Sequence, residues 1–127
     1  MQGFEDVTLS WQGTEYTVPA NRQLMLIAKL EDALAPDGGQ AIEALFREGG
    51  PKHTILAQAF GAALRYAGAT VTDDEIYLSI HQDIATRSEQ AVSLAIQTMI
   101  LALLAIISPP TARALADAAK EAPAKNP

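Results

Sequence analysis

Three consecutive carboxylates, Asp73-Asp74-Glu75, and the chain's two histidines, His53 and His81, are the residue types here that could hold a metal or move a proton. Clustered carboxylates can coordinate a hard cation or work as an acid–base pair. The setting of this run points elsewhere. Val71-Thr72-Asp73-Asp74-Glu75-Ile76 reads as a helix start, with Thr72 capping the backbone of Glu75, Glu75 reaching back, and Val71 stapled onto Ile76. Acidic residues in a first turn offset the positive end of the helix macrodipole. Nothing nearby in sequence completes a ligand set.

His53 and His81 fall on different predicted helices, and neither belongs to an H-E-x-x-H pair. His81 and Asp83 are two residues apart, so on a helix they point to different sides. Surface or capping positions are the expectation for both histidines. An enzyme would have to build on Tyr77, His81 and Glu75, the one neighbouring trio with suitable chemistry. Gly38-Gly39 and Gly49-Gly50 lack both the spacing and the preceding strand of a phosphate loop, and read as helix punctuation. No G-x-S-x-G elbow is present. With no cysteine, disulfides, thiolate-bound zinc and thiol nucleophiles drop out. The expectation is no catalytic, cofactor or metal site.

The 127 residues suit one domain, and 49% apolar against 19% charged residues can build a core. The net charge is −6, and the nine Lys and Arg are scattered. Nucleic acid and anionic membranes both call for clustered positive charge, so neither is an expected partner. The acidic opening Met1 to Asp6 lacks a basic n-region and an apolar h-region, which predicts a cytoplasmic protein.

The elements that must position these residues begin with a β-hairpin over about 6–18. Val7, Leu9 and Trp11 alternate with polar residues, as do Tyr16 and Val18. A turn at Gln12-Gly13 pairs Leu9 with Tyr16 and Val7 with Val18, so the large apolar side chains share one face. The rest is mainly α, a compact bundle of five to six helices. The first is capped by Asn21 and carries Leu24, Ile27, Leu30 or Glu31, and Leu34. A short one follows with Ala41, Ile42, Leu45 and Phe46. The third carries Ile55, Leu56, Ala59, Phe60, Ala63, Leu64 and Ala67, with Gly68 as its left-handed terminator. The fourth starts at Asp73 and carries Ile76, Tyr77, Ile80 and Ile84. Thr86 and Glu89 suggest a second capping box for a long helix ending near Ile107. Pro109 suits the first position of the last helix. One domain over 1–121 and a disordered tail over 122–127 are expected.

Ala91 to Ile107 carries no charge and is apolar all round from Met99. As a helix, its 17 residues would span about 25 Å, short of the roughly 30 Å hydrocarbon core. A central buried helix is the default reading. In so small a domain such a helix can also outrun its own core, leaving a face for a partner or a second copy of the chain. A small membrane protein spanning about 91–107 is the remaining alternative.

The order of these features resembles a phage family. The strand pair ending Gly13-Thr14-Glu15-Tyr16-Thr17-Val18-Pro19 leads to a helix with Leu30-Glu31. Leu64-Arg65-Tyr66-Ala67-Gly68, the capped segment Val71 to Ile76, and an Ala/Leu-rich apolar helix follow. Over about residues 5–107 this is similar to the tail assembly chaperones of siphophages and gene transfer agents, sometimes described as tail tube proteins. The resemblance implies a non-enzymatic protein that binds the tape measure protein, keeps its helices soluble and recruits tail tube subunits. A structural tube or connector component of the virion is the alternative within the same setting. The matching segments fix no contact positions. The expected partner-binding residues are therefore taken from the apolar surplus: Trp11, Tyr16, Met99, Leu103, Ile106 and Ile107.

Overall fold

The computed structural model describes residues 4–121. The expected tail, 122–127, lies outside the described residues. The chain opens with an antiparallel hairpin, β1 (Val7–Trp11) and β2 (Thr14–Val18), in the register Val7–Val18, Leu9–Tyr16, Trp11–Thr14. Gln12 and Gly13 both take positive φ, 49° and 83°, which is the backbone that two-residue hairpin turns need to match strand twist. Leu9 and Val18 are buried, while Val7, Trp11 and Tyr16 are half-buried against the same core. The hairpin lies on the helices, which is what lets a two-stranded sheet persist.

Six helices follow: α1 (Gln23–Leu34), α2 (Ala41–Leu45), α3 (His53–Tyr66), α4 (Asp73–Thr86), α5 (Glu89–Ile107) and α6 (Pro109–Glu121). The architecture is mainly α with an N-terminal hairpin, as the periodicity predicts. α3 is central, packed on α1, α4 and α5, and it buries Leu56, Ala57, Ala59, Phe60, Ala63 and Leu64. Ala57, Ala59 and Ala63 alternate there with the larger Leu56, Phe60 and Leu64. At its end Gly68 has φ 109°; Gly68 N–H donates to Arg65 O (3.0 Å) and Ala69 N–H to Leu64 O (2.9 Å). These are the two bonds of a Schellman stop. The capping box then starts α4: Glu75 N–H donates to Thr72 Oγ1 at 3.2 Å, and Thr72 N–H to Glu75 Oε1 at 2.8 Å. Val71 and Ile76 are both buried, in the positions a staple uses.

Three details differ from the sequence reading. Asn21 does not cap α1. A 3-10 turn, Ala20–Arg22, leads in, and Asp6 Oδ1 accepts from Ala20 N–H at 2.8 Å instead. Gln23 is completely buried, its Nε2 donating to Val18 O (2.9 Å) and Glu5 O (3.2 Å). That anchor turns Gln23, Leu26, Leu30 and Leu34 inward and swings Leu24, about 100° further round the helix, out to 68% exposure. Second, Ser88 rather than Thr86 caps α5. Ser88 has the extended backbone that a cap requires, and its Oγ accepts from Ala91 N–H at 3.1 Å. Thr86 is still inside α4, and its hydroxyl donates to Gln82 O.

The third difference concerns α5, which is not a centrally buried helix. Leu103, Leu104 and Ile106 are fully buried near its C-terminal end, but no residue from Glu89 to Ala102 is. Its N-terminal two thirds lie along the surface of the bundle. Among the described residues α5 is the one helix long and apolar enough to cross a membrane, at 19 residues and mean hydropathy 2.1.

Candidate partner-binding surface

α5 projects because its apolar residues outnumber the positions facing the core. A bundle this small covers one stripe, and on α5 the covered stripe is Leu103, Leu104 and Ile106, with Ile96, Met99, Ile100, Ala102 and Ile107 packed partly against it. Leu94 and Leu101 are left outside, at 65% and 50% exposure. They form the crest of a ridge, with a groove on each side.

The larger groove holds about 670 Å³, between α5, the end of α4 and the segment joining α2 to α3. Val92, Ile96 and Ile100, with the polar Ser93 and Gln97 beside them, form its α5 wall, and Leu45, Phe46 and Ile84 supply the opposing apolar surface. Phe46, just past α2, is 53% exposed and Ile84 45%. Arg47, Arg87 and Glu89 rim the groove. Arg87 lies 3.7 Å from Asp83 across one turn, at an exposure where such a pair holds the side chain only loosely. The smaller groove, about 330 Å³, runs along the other flank, between Ala91, Leu94, Ala95 and Met99 of α5 and the Trp11 and Phe60 rings. Those rings meet edge to face with centroids 6.4 Å apart. A ridge with an apolar channel on both sides can receive an amphipathic helix, whose stripe fills a channel while its polar face stays wet.

Of the residues expected to meet a partner, Trp11 and Met99 do come together, lining the smaller groove. Tyr16 is half-buried on the hairpin face that packs against the core, and Ile107 is half-buried against the same core. Neither lines either groove. Leu103 and Ile106 have no exposed surface and cannot contact a partner in this fold; that expectation is corrected. An all-apolar run does not show which of its faces the core will use, and the covered residues lie where α6 and the central helices close over the C-terminal end. Leu94, Leu101, Phe46 and Ile84 were missed. Leu94 lies in the half of the run that also carries Ser93, Gln97 and Thr98, and Phe46 and Ile84 read as inward members of their stripes. The only signal for them was the surplus itself.

The residues weighed for chemistry separate. Glu75 is engaged with Thr72 in the capping box, and Asp73 Oδ1 pairs with Arg65 Nη1 at 2.8 Å. Glu75 therefore does not join Tyr77 and His81, whose rings stack at 4.4 Å. His53 and His81, on different helices as the sequence predicts, meet: His53 Nδ1 lies 3.3 Å from His81 Nε2. Comparison with known proteins gives no match: no family model fits the chain, and no curated protein or solved structure is significantly similar to it.

Proposed function

We propose that this protein is a non-enzymatic assembly chaperone of the phage tail type, holding helices of a tape measure protein along the α5 ridge and recruiting tail tube subunits to them. The observation that carries this reading is the exposed apolar crest, Leu94 and Leu101, between two grooves. Scattered single apolar residues are normal on a surface; here Leu94 and Leu101 flank Gln97 and Thr98 on the outer face of α5, and the apolar positions beside them line the two grooves, which supports an interaction site. A tape measure helix supplies the complementary shape, an apolar stripe on a long rod. The −6 net charge keeps a loaded complex dispersed, while Arg47 and Arg87 favour acidic residues beside the bound stripe. The chaperone works soluble in the cytoplasm of the bacterial host.

Co-expression with a tape measure candidate, should a neighbouring gene encode one, tests the proposal. Soluble yield of that protein should rise, and the two should co-purify. Unchanged solubility together with no complex would defeat the reading. Abundance of the chain in finished particles would instead favour a tube or connector component, since a chaperone leaves before completion.

One observation favours a second reading, in which α5 enters a membrane. Its 19 residues extend about 28 Å, close to the hydrocarbon thickness. Insertion would require withdrawing Leu103, Leu104 and Ile106 from the core and parting α5 from α6. Fractionation discriminates: the chaperone stays in the high-speed supernatant, and the inserted protein pellets until detergent is added.

A further inference from the structure

The chain has only two histidines, 28 residues apart, and the fold sets one against the other. His53 opens α3, and His81 lies in the third turn of α4. The facing atoms are ring nitrogens: His53 Nδ1 and His81 Nε2 are 3.3 Å apart, with the ring planes inclined by 68°. Tyr77, one turn before His81, lies against its ring at 4.4 Å and limits its rotation. Both histidines are half-buried and border an open cleft of about 490 Å³.

We infer that His53 and His81 form a two-histidine site for a divalent transition-metal ion of the zinc type. Two nitrogens bound at about 2.0–2.1 Å to a tetrahedral ion stand roughly 3.3–3.4 Å apart, the separation these two already have. Imidazole nitrogen selects zinc, copper or nickel over calcium and magnesium, which require oxygen ligands. In the neutral pair one facing nitrogen carries a proton and the other accepts it. Binding moves that proton through solvent to the outer nitrogen of the same ring, which frees both facing lone pairs for the metal. Two coordination positions remain for water.

Arg47 and Lys52 line the same cleft and oppose a cation, Glu48 favours one, and two protein ligands make a modest site. Because His53 also lines the larger groove beside α5, the ion ties one wall of that groove to α4. The site itself does not depend on what the groove holds.

Isothermal titration of metal-free protein with zinc chloride tests the inference. One ion per chain should bind, and His53→Asn or His81→Asn should weaken it roughly tenfold or more. Both variants should melt like the parent in EDTA, while zinc raises the melting temperature of the parent alone. Should either variant fail to fold, nitrogen-detected NMR of the parent reads the same point: zinc should shift His53 Nδ1 and His81 Nε2. No binding at millimolar zinc, equal binding by folded variants, or shifts confined to the outer nitrogens would overturn it.

Discussion

Leu94 and Leu101 stand two turns apart on one side of α5, 65% and 50% exposed, while Leu103, two positions further on, has no exposure. One helix therefore carries a solvent-facing apolar crest and a core anchor side by side. Residues seven apart share a face, and a step of two crosses to the opposite one.

The crest can be changed without touching the core. Leu94→Glu with Leu101→Glu should leave the circular dichroism spectrum intact and shift stability by no more than about 0.5 kcal/mol per site. Capture of the tape measure protein, or self-association in sedimentation, should fall by roughly a hundredfold, since charge is placed where a partner's apolar stripe must dry the surface. A double variant that still binds like the parent would remove α5 from the interface.

Leu103→Ala should behave in the opposite way. Its side chain is fully enclosed, so truncation loses transfer free energy and leaves a cavity, about 2–5 kcal/mol together. Urea unfolding should show the loss as a lower midpoint with an unchanged slope. A drop below about 1 kcal/mol would mean that this end of α5 is loosely packed.

These two outcomes mark how far the sequence was legible. Local chemistry was readable because its causes are local: the hairpin register from alternation, the Schellman stop from Gly68, the capping box from Thr72 and Glu75. Helix rotation was not, because a distant contact sets it. Gln23 reaches Val18 O and Glu5 O, and so decides that Leu26 turns in and Leu24 out. The uniform run Met99 to Ile107 carries no periodicity to choose between Leu101 and Leu103. The two histidines could not be paired from sequence either, since only the antiparallel packing of α3 and α4 brings position 53 beside position 81.

Gln23 itself is a test of that long-range control. Gln23→Ala removes both donated bonds and leaves the Val18 and Glu5 carbonyls without them, an expected loss of about 1–3 kcal/mol. Because those carbonyls belong to the hairpin end, its amides should lose exchange protection before those of α3 do. Uniform loss across hairpin and helices would show that the hairpin does not open on its own.

The hairpin turn leaves room for improvement. Gln12 holds φ 49°, a left-handed backbone that costs a residue with a long side chain about 1 kcal/mol. Asparagine tolerates it better, and Asn-Gly is the pair that such turns favour. Gln12→Asn should raise stability by a few tenths of a kcal/mol to about 1 kcal/mol, visible as a higher melting temperature. A fall would mean that the Gln12 side chain makes a stabilising contact.

Gly61 poses the opposite problem, because two effects of opposite sign meet there. It sits in the middle of α3, where replacing glycine by alanine ordinarily gains about 0.5–1 kcal/mol of helix stability. Here an added Cβ would collide with Asp73 Oδ1 and press on Arg65 Nη1 at 3.0 Å and Ile76 Cδ1 at 3.3 Å. Asp73 can retreat, at the expense of its 2.8 Å pair with Arg65, which is over a third exposed on both sides and so contributes little. Ile76 is completely buried, so its Cδ1 must give by a few tenths of an ångström inside a packed core, at a cost of about 1–3 kcal/mol. The packing cost exceeds the helix gain, and Gly61→Ala should lower stability by about 1 kcal/mol in urea. A double-mutant cycle with Asp73→Ala separates the causes. If the carboxylate is the main obstacle, Gly61→Ala becomes neutral or stabilising on that background; if Ile76 is, the loss stays.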